Sequence, residues 1–559
     1  STSFILIYFM QMASIHVGRE FLSRLALENA DHLYLFLDLR YLLFFFAIGA
    51  TCLQLIYLIE RGNRTPGNWS RLVAVSLLII GILVTLTSGY WLPASVLNTR
   101  DRYLDSFNAA HTSPVISLFA TLLRPYMSYS GPVLHRKLRT YEMEEISRFG
   151  FHYDPTEKFP LIKESIYAGA PPFSIKPGKE RKTPNVIIFF SEGLSARSIG
   201  VYKSIYPDLT PHIDEFARTG MVVHRYYNHT AATYRGLHGQ LASIFPFYGG
   251  HGGWHSDDPQ ASGRSYLSLA DLFTDAGYET IFLDSHHRNH PSQVDKMMTE
   301  LGFTTVITGD QLADIFLNGE PPKGDMAYSD HQYLQGVTGY LNRRVGRGET
   351  QPFFLSLYNF GTHAFLKSSE GRVVYGGGLN HSLNSIHNLD HAFGLFWESL
   401  KDSPLADNTI LVFTADHCHF HVRSFVKSFK SDDYQELFID RIPLIIHDPL
   451  RRLPPSYDAE NSSSIDFTPS IAHYLGLKNV PNPFMGSSIF ESESKHYRDM
   501  SVAALGPQEI FLIDSDKIHT LNNSPAHTST LEVLGTYIEL VRQLELDNLI
   551  WRKDQEIQD

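Results

Sequence analysis

Residues 185–193 read NVIIFFSEG, a run of β-branched and aromatic residues that ends abruptly in a polar tripeptide. Such a run is typical of a strand that is buried on both faces. Similar runs recur downstream, and helix-like segments such as 210–219 and 264–277 lie between them. This alternation predicts an α/β fold in which helices flank a mostly parallel sheet. The further strand-like runs are MVVHRYY (221–227), YETIFLDS (278–285), PFFLSLYNF (352–360), NTILVFTAD (408–416) and PLIIHD (443–448).

The first 93 residues predict transmembrane helices. Residues 39–59 and 72–93 are apolar, and each approaches the roughly 20 residues that cross a bilayer as a helix. The loop between them holds three arginines against one glutamate, which by the positive-inside bias places the loop in the cytoplasm and everything after residue 93 outside it. Residues 3–15 read as the tail of a third span, and the absence of an initiating Met indicates that the natural chain is longer at its N-terminus.

Residues 94–184 are interpreted as a juxtamembrane region and a linker. Within them, residues 113–127 form an amphipathic pattern that fits the membrane surface and the soluble domain equally well. Residues 168–184 are rich in Pro, Gly and Lys and lack apolar periodicity, which is typical of a linker. The sequence therefore predicts a catalytic domain over residues 185–559.

Charge and cysteine content exclude two classes of protein. The net charge is −12, and long basic runs are absent, so nucleic acid is not expected as the main partner. The chain has only two cysteines, which excludes a disulfide framework.

Two strand ends carry candidate metal ligands. Glu192 follows the run at 185–190, and Asp416 and His417 follow the run at 408–415. In open α/β sheets the chemistry collects at the carboxyl ends of the strands, and an adjacent carboxylate and imidazole suit zinc or manganese. Taken singly, Glu192 also fits a helix-start acid, and the Asp-His pair also fits a solvated surface.

A third motif, NHTAATYRGLHGQLASIFP (228–246), places Thr233 at the start of an apolar-periodic helix. A hydroxyl at this position meets backbone N–H groups and the positive end of the helix dipole, which stabilise an approaching phosphate. An ordinary N-cap threonine is the alternative. A metal ion beside the hydroxyl would lower its pKa and make it a nucleophile.

The order of these three motifs resembles the alkaline phosphatase superfamily. It is most similar to the sulfatase-like branch, which includes lipoteichoic acid synthase and related phosphoglycerol and phosphoethanolamine transferases. Residues 183–490 follow that template, and the apolar spans before them match the layout of the transferases. The weaker segments that fit in the same order are 209–227, 268–285, 384–400, 464–477 and 484–490.

The resemblance implies a site. It implies that Glu192, Thr233, Asp416 and His417 hold a divalent ion, with Mn²⁺ expected and Zn²⁺ or Mg²⁺ as alternatives, and that Thr233 is also the attacking group. It implies that His363, in the segment GTHAF, contacts the substrate phosphate.

Other substrate-binding residues are implied less directly. Arg235 stands where sulfatases hold a basic residue near the nucleophile, and a substrate-binding or a structural role is open for it. His287 and Arg288, with His290, lie where lipoteichoic acid synthase has an aromatic residue and an arginine that grip glycerol phosphate, but that motif is not reproduced here. The Cys/Ser-x-Pro-x-Arg setting of true sulfatases is also absent around Thr233, which argues against sulfate-ester hydrolysis.

The implied activity is transfer of a phospholipid head group, phosphoglycerol or phosphoethanolamine, through a phospho-threonine to a glycan or lipid acceptor. The implied location is a bacterial-type inner membrane, crossed several times, with the catalytic domain on the extracytoplasmic or periplasmic side. Two alternatives remain, a membrane-bound phosphodiesterase that uses water as the acceptor and a non-catalytic lipid-binding relative. The sequence leaves the oligomeric state, the head group and the acceptor open.

Overall fold

The computed structural model describes the chain chiefly between residues 171 and 491, and the described residues all belong to one compact unit made of 133–247, 253–506 and 510–559. Among them no helix is both long enough and apolar enough to cross a membrane. The predicted spans at 39–59 and 72–93 and the amphipathic segment at 113–127 lie outside the described residues. Described are 143–144, 147, 150–154, 159, 161–163, 171–179, 183–230, 233–245, 266–288, 290, 292–323, 327–363, 373–420, 423–429, 439–477, 481–491, 503–505, 510–514 and 517–520.

An eight-stranded sheet forms the centre of the unit, and all six predicted strands belong to it. A two-stranded hairpin precedes this sheet, and a three-stranded antiparallel meander follows it. The strands are β1 Phe151–Tyr153, β2 Leu161–Lys163, β3 Asn185–Ser191, β4 Met221–Tyr227, β5 Glu279–Asp284, β6 Thr305–Ile307, β7 Phe353–Tyr358, β8 Thr409–Ala415, β9 Leu444–His447, β10 Ser456–Ser463, β11 Ala503–Leu505, β12 Ile510–Asp514 and β13 Lys517–Thr520.

The large sheet has the order β10-β4-β9-β8-β3-β7-β5-β6. All neighbouring pairs are parallel except those of β9, which runs antiparallel to both β4 and β8. The sheet is therefore mixed, and the prediction of a mostly parallel sheet is confirmed with one reversed strand. Two of its strands, β6 and β10, were not predicted, because β6 has three residues and β10 reads SYDAENSS.

Helices cover both faces of the sheet. The helix-like segments at 210–219 and 264–277 are confirmed with shorter bounds, as α1 and α3, and the helix predicted to start at Thr233 is α2. The α-helices are α1 Pro211–Arg218, α2 Thr233–Ala242, α3 Leu269–Asp275, α4 Val294–Glu300, α5 Gly309–Phe316, α6 Asp330–Gly346, α7 His381–Lys401, α8 Arg423–Phe429 and α9 Phe467–Leu475. Short 3₁₀ helices occupy Ala196–Ser198, Gly200–Tyr202, Ala406–Asn408 and Ser464–Asp466.

The central strand β3 is buried along its whole length, as a strand between two helical layers must be. Because side chains alternate along a strand, Phe189 and Phe190 point to opposite faces. Phe189 packs on Phe393 of α7 at a ring distance of 5.7 Å, and Phe190 packs on Phe467 of α9 at 5.5 Å. The apolar run of β3 thus contacts both helical layers.

Part of the predicted linker lies against the domain. Ile175 pairs with Arg451, the Lys176 ammonium donates to the carbonyl oxygens of Asp448 and Pro449, and Phe173 packs edge-on against Tyr457. The described residues of this segment are therefore fixed by contacts with residues near 450, while the domain boundaries at 93 and 184 stay predictions.

Candidate metal centre

The candidate site lies at the carboxyl ends of three adjacent strands, β8, β3 and β7. Glu192 directly follows β3, Asp416 and His417 directly follow β8, and Tyr358 ends β7. All four side chains are fully buried. The strands are in parallel register, with Phe190 opposite Thr414 on one side and Tyr358 on the other, so their tips end at one level. The predicted residues Glu192, Asp416 and His417 therefore do lie together at this edge of the sheet, and their chemical role stays a prediction.

Glu192, Asp416 and His417 bring three ligand atoms together. His417 Nε2 lies 3.5 Å from Glu192 Oε1 and 3.4 Å from Asp416 Oδ2. The three residues form the one cluster of metal-ligating side chains within the part of the chain that the structure describes. Two carboxylate oxygens and an imidazole nitrogen are a donor set for a borderline divalent cation.

The hydrogen bonding of these residues fits a cation. His417 Nδ1 lies 2.5 Å from the carbonyl oxygen of Cys418, which can only accept, so Nδ1 carries the ring proton and Nε2 presents a lone pair. Asp416 Oδ1 accepts from the backbone N–H groups of Gly193 and His417, at 2.8 and 2.7 Å. The atoms left over, Glu192 Oε1, Asp416 Oδ2 and His417 Nε2, have no hydrogen-bond partner among the described residues. A divalent cation between them would satisfy all three.

Burial shifts the pKa of each residue in this cluster. It raises the pKa of Glu192 to about 7, and the charge of Asp416 adds to the effect. It also raises the pKa of Asp416 to about 7 and lowers the pKa of His417. Burial thus disfavours the charged forms of all three groups. A bound cation would offset this penalty for the two carboxylates.

Residues that follow β7 hold the backbone of Glu192 through hydrogen bonds. Its N–H donates to Asn359 Oδ1 at 3.0 Å, and its carbonyl oxygen accepts from the Thr362 hydroxyl at 2.6 Å. The amide of Asn359 in turn donates to Asp330 at 2.8 Å. The following residue, Gly193, has a left-handed φ of 52°, which a glycine adopts without steric cost. The chain thus turns sharply at the strand tip, and the carboxylate stays over the site.

Thr233 is the first residue of α2, as predicted. Its hydroxyl donates to Glu192 Oε2 at 2.9 Å. The helix lies directly on the end of β8, because a Cβ on Gly236 would come within 2.3 Å of the Asp416 carbonyl oxygen and Gln240 Nε2 donates to that oxygen at 2.8 Å. The glycine therefore permits the close approach that brings Thr233 to the candidate metal ligands.

Tyr358 was not predicted as a site residue. Its hydroxyl donates to Glu192 Oε2 and lies 3.2 Å from Thr233 Oγ1. A tyrosine at the end of a buried strand is equally consistent with core packing, and the only available signal was its position at a strand tip.

Two of the implied substrate-binding residues lie near the cluster. The His363 ring packs on Phe420 at 5.9 Å, and Phe420 packs on the His417 ring at 5.0 Å. Arg235 is buried, its guanidinium donates to the Tyr234 hydroxyl at 2.6 Å, and its charge lowers the pKa of His417 after the larger effect of burial. Both stay predictions as substrate-binding residues.

The other two implied residues contact α5. His287 Nδ1 lies 3.1 Å from Asp310 Oδ1, and the exposed Arg288 donates its backbone N–H to Asp310 Oδ2 at 2.6 Å. In the same segment it is the buried His286 that lies nearer the strand tips, with its ring 5.5 Å from that of Tyr358. A role of His287 and Arg288 in binding a substrate stays a prediction. The sequence did not single out His286, because it does not fix which side chain after β5 points inward.

Comparison with known proteins gives matches over this region. A family model described as Sulfatase matches residues 184–477, from the start of β3 to just beyond α9. Lipoteichoic acid synthase 2 of Bacillus subtilis is 26% identical over 157 residues, which cover 26% of this chain and 24% of that protein. The chain thus aligns with about a quarter of the length of that curated relative.

Solved structures match over a larger share. A protein in the alkaline phosphatase superfamily from Vibrio parahaemolyticus has a TM-score of 0.56 at 16% identity, over 75% of this chain and 99% of that one. The lipoteichoic acid synthase LtaP from Listeria monocytogenes has a TM-score of 0.51 at 18% identity, over 68% of this chain and 97% of that one. At such identities these structures establish the fold.

Proposed function

Because this chain belongs to the sulfatase family, we propose that it is a metal-dependent phosphotransferase in which Thr233 attacks the phosphorus of a membrane phospholipid head group. The observation that carries the proposal is the Thr233 hydroxyl, held 2.9 Å from Glu192 Oε2 beside three buried ligand atoms. The head group is phosphoglycerol or phosphoethanolamine, and the acceptor is a glycan or a lipid. The match to lipoteichoic acid synthase 2 favours the transfer of such groups.

A divalent ion bound by Glu192, Asp416, His417 and Thr233 would supply positive charge that lowers the pKa of the hydroxyl and neutralises phosphate oxygens. With three oxygen donors and one nitrogen, the set suits Mn²⁺, and Zn²⁺ and Mg²⁺ are alternatives. The identity of the ion is part of the proposal.

The chain's own residues move the proton and orient the phosphate. The Thr233 proton passes to Glu192 Oε2, which already accepts its hydrogen bond. Thr233 Oγ1 then bonds to phosphorus, and the bond from phosphorus to the diacylglycerol oxygen breaks; that oxygen leaves with the bonding pair and takes a proton from solvent. First-turn N–H groups of α2, together with Arg235 and His363, face the negative oxygens. An acceptor hydroxyl then attacks the phospho-threonine and loses its proton to solvent, while the P–Oγ1 bond breaks and Thr233 Oγ1 regains the proton from Glu192.

The proposed setting is an inner membrane with the catalytic domain on its extracytoplasmic side. A lipid donor never leaves the bilayer, so anchoring the site beside it raises the donor's effective concentration. The apolar stretches at 39–59 and 72–93 support this setting.

The test uses the full chain in detergent with Mn²⁺ and mixed phosphatidylglycerol and phosphatidylethanolamine, followed by diacylglycerol release and by the intact mass of the protein. We expect release and a head-group adduct, both lost in Thr233→Ala. Thr338→Ala is the matched control, because Thr338 is a half-buried helical threonine whose hydroxyl donates to Leu334 of its own helix at 2.9 Å. An adduct that persists in Thr233→Ala would exclude this nucleophile.

The remaining outcomes separate the alternatives. Release of the head group into water, with no labelled glycan or lipid, would make the protein a phosphodiesterase. A protein that binds none of the three metals and releases no diacylglycerol would be the non-catalytic lipid-binding relative.

A further inference from the structure

The hydroxyl of Tyr358 contacts both a proposed metal ligand and the proposed nucleophile. It donates to Glu192 Oε2 and lies 3.2 Å from Thr233 Oγ1. Glu192 Oε2 thus accepts from two hydroxyl groups, while Oε1 of the same carboxylate faces His417 Nε2. The two oxygens of Glu192 therefore have different neighbours, and Tyr358 donates to the oxygen that also accepts from Thr233.

The position of Tyr358 is fixed by its backbone. Its N–H donates to the Tyr333 hydroxyl at 3.0 Å, and that hydroxyl donates to the Leu283 carbonyl oxygen at 2.6 Å. Tyr358 also lies in parallel register opposite Phe190, two residues before Glu192. A side chain anchored on both sides of its strand needs little reorganisation to donate to a fixed point.

The hydroxyl acts only as a donor toward the carboxylate. An ionised carboxylate oxygen can only accept a hydrogen bond, so the phenol supplies the proton of its contact with Glu192 Oε2. A phenylalanine would fill the same space in the core, and a buried tyrosine hydroxyl requires a partner. The partner here is the carboxylate next to the reacting atom.

We infer that Tyr358 is a catalytic residue of this site, whose hydroxyl holds Glu192 Oε2 toward Thr233 before attack and donates to Thr233 Oγ1 as the threonine proton leaves. The inference rests on the proposed phosphoryl transfer. In that step the Oγ1–H bond breaks, the proton goes to Glu192 Oε2, and the Oγ1–P bond forms. The bond from phosphorus to the leaving oxygen breaks, and that oxygen departs with the bonding pair and takes a proton from solvent. Tyr358 keeps its own proton. Once Glu192 Oε2 is protonated it is the poorer acceptor, and Thr233 Oγ1 at 3.2 Å becomes the better one.

The test compares Tyr358→Phe with Tyr474→Phe in the full chain. Tyr474 is a similarly buried tyrosine whose hydroxyl donates to a buried carboxylate, that of Asp448, at 2.8 Å. Asp448 directly follows β9, which is not one of the three strands that carry the candidate site. Both substitutions delete one hydroxyl that donates to a carboxylate, so both carry a similar folding cost. The measurements are bound Mn²⁺, thermal unfolding, and the rate of adduct formation and diacylglycerol release over a range of lipid concentrations.

We expect Tyr358→Phe to bind Mn²⁺ with the parent stoichiometry and to lower kcat about 100-fold at nearly unchanged KM, as loss of one preorganised donor does. Tyr474→Phe should retain the parent kcat with a similar change in unfolding temperature. A kcat within twofold of the parent for Tyr358→Phe, or a loss confined to KM, would overturn the inference and leave the proposed function standing. A loss that follows metal content in both variants would make Tyr358 structural. A parent protein with bound Mn²⁺ but no adduct and no release would overturn the proposed function and this inference with it.

Discussion

Once the metal is removed, the free energy of unfolding of this protein should fall as the pH rises. In the metal-free fold, burial raises the pKa of Glu192 from 4.5 to about 7. A group with a raised folded-state pKa contributes stability that is complete below its unfolded pKa and is lost as the pH rises through the folded pKa. Between pH 4.5 and pH 7 the unfolded chain ionises while the folded site keeps its proton. We therefore expect the chelator-treated protein to lose stability across this window.

The size of the effect follows from the shift. A difference of roughly 2.5 pKa units corresponds to about 3 kcal/mol in the free energy of unfolding. Asp416, whose pKa burial also raises to about 7, acts in the same direction. Metal must displace these protons, and one proton with a pKa of about 7 already weakens the apparent Kd for Mn²⁺ about 25-fold between pH 7.5 and pH 5.5, so at least that change is expected.

The assay is thermal unfolding with chelator and with saturating Mn²⁺ at half-unit steps from pH 5 to pH 8, accompanied by calorimetric titration of the metal. The difference between the two unfolding curves isolates the site, because Asp390, a carboxyl outside the cluster whose pKa burial also raises to about 7, titrates in both forms and cancels. Asp416→Asn should flatten the difference curve. A metal-free protein that gains stability from pH 5 to pH 7, or a Kd for Mn²⁺ that does not change with pH, would refute the reasoning.

Three further substitutions test how the site is supported. Gly236→Ala should lower the free energy of unfolding by about 1–3 kcal/mol and the activity about 100-fold, because its Cβ would lie 2.3 Å from the Asp416 carbonyl oxygen. The control is Gly346→Ala, whose Cβ would meet no packed neighbour within 4 Å among the described residues and which should be neutral or stabilising. Equal activities of the two variants would contradict the packing argument. Asn359→Ala should weaken Mn²⁺ binding about 10-fold by freeing the Glu192 backbone, which calorimetric titration measures, and an unchanged Kd would argue against that role. Arg197→Met breaks a part-buried pair with Asp440 at 2.6 Å and should cost about 3 kcal/mol in urea unfolding with metal content retained; a loss below 1 kcal/mol would show that the pair is well solvated.

The ligands that sequence predicts are those whose position follows from the chain's local pattern. Glu192, Asp416 and His417 each come directly after a long apolar strand, so their placement at a strand tip follows from where the apolar run ends. The parallel sheet then brings the tips together. Thr233 was predicted by its place before a periodic helix, and the structure puts it at the first position of α2.

The residues that sequence missed depend on which strands become neighbours. Tyr358 reaches Glu192 because β7 pairs with β3, and nothing in the run FFLSLY indicates that partner. His286 was missed in favour of His287, because the inward direction changes with every residue after a strand ends. The polar strand β10 forms beside β4, with a register shift between Asp458 and Ser462, and pairing rather than apolar periodicity makes it a strand.

The insertion of β8 between β3 and β9 has a consequence for biosynthesis. A nascent chain that has produced β3 holds it without either final neighbour, because β7 and β8 are made more than a hundred residues later, and Gly193 bonds to Asp416 across 223 positions. Until then, an apolar strand has two unpaired edges, which invites pairing with other chains or capture by a chaperone. An ion cannot be held by both β3 and β8 before the middle of the sheet closes. Uptake of metal would therefore report that the middle of the sheet has closed in newly made protein.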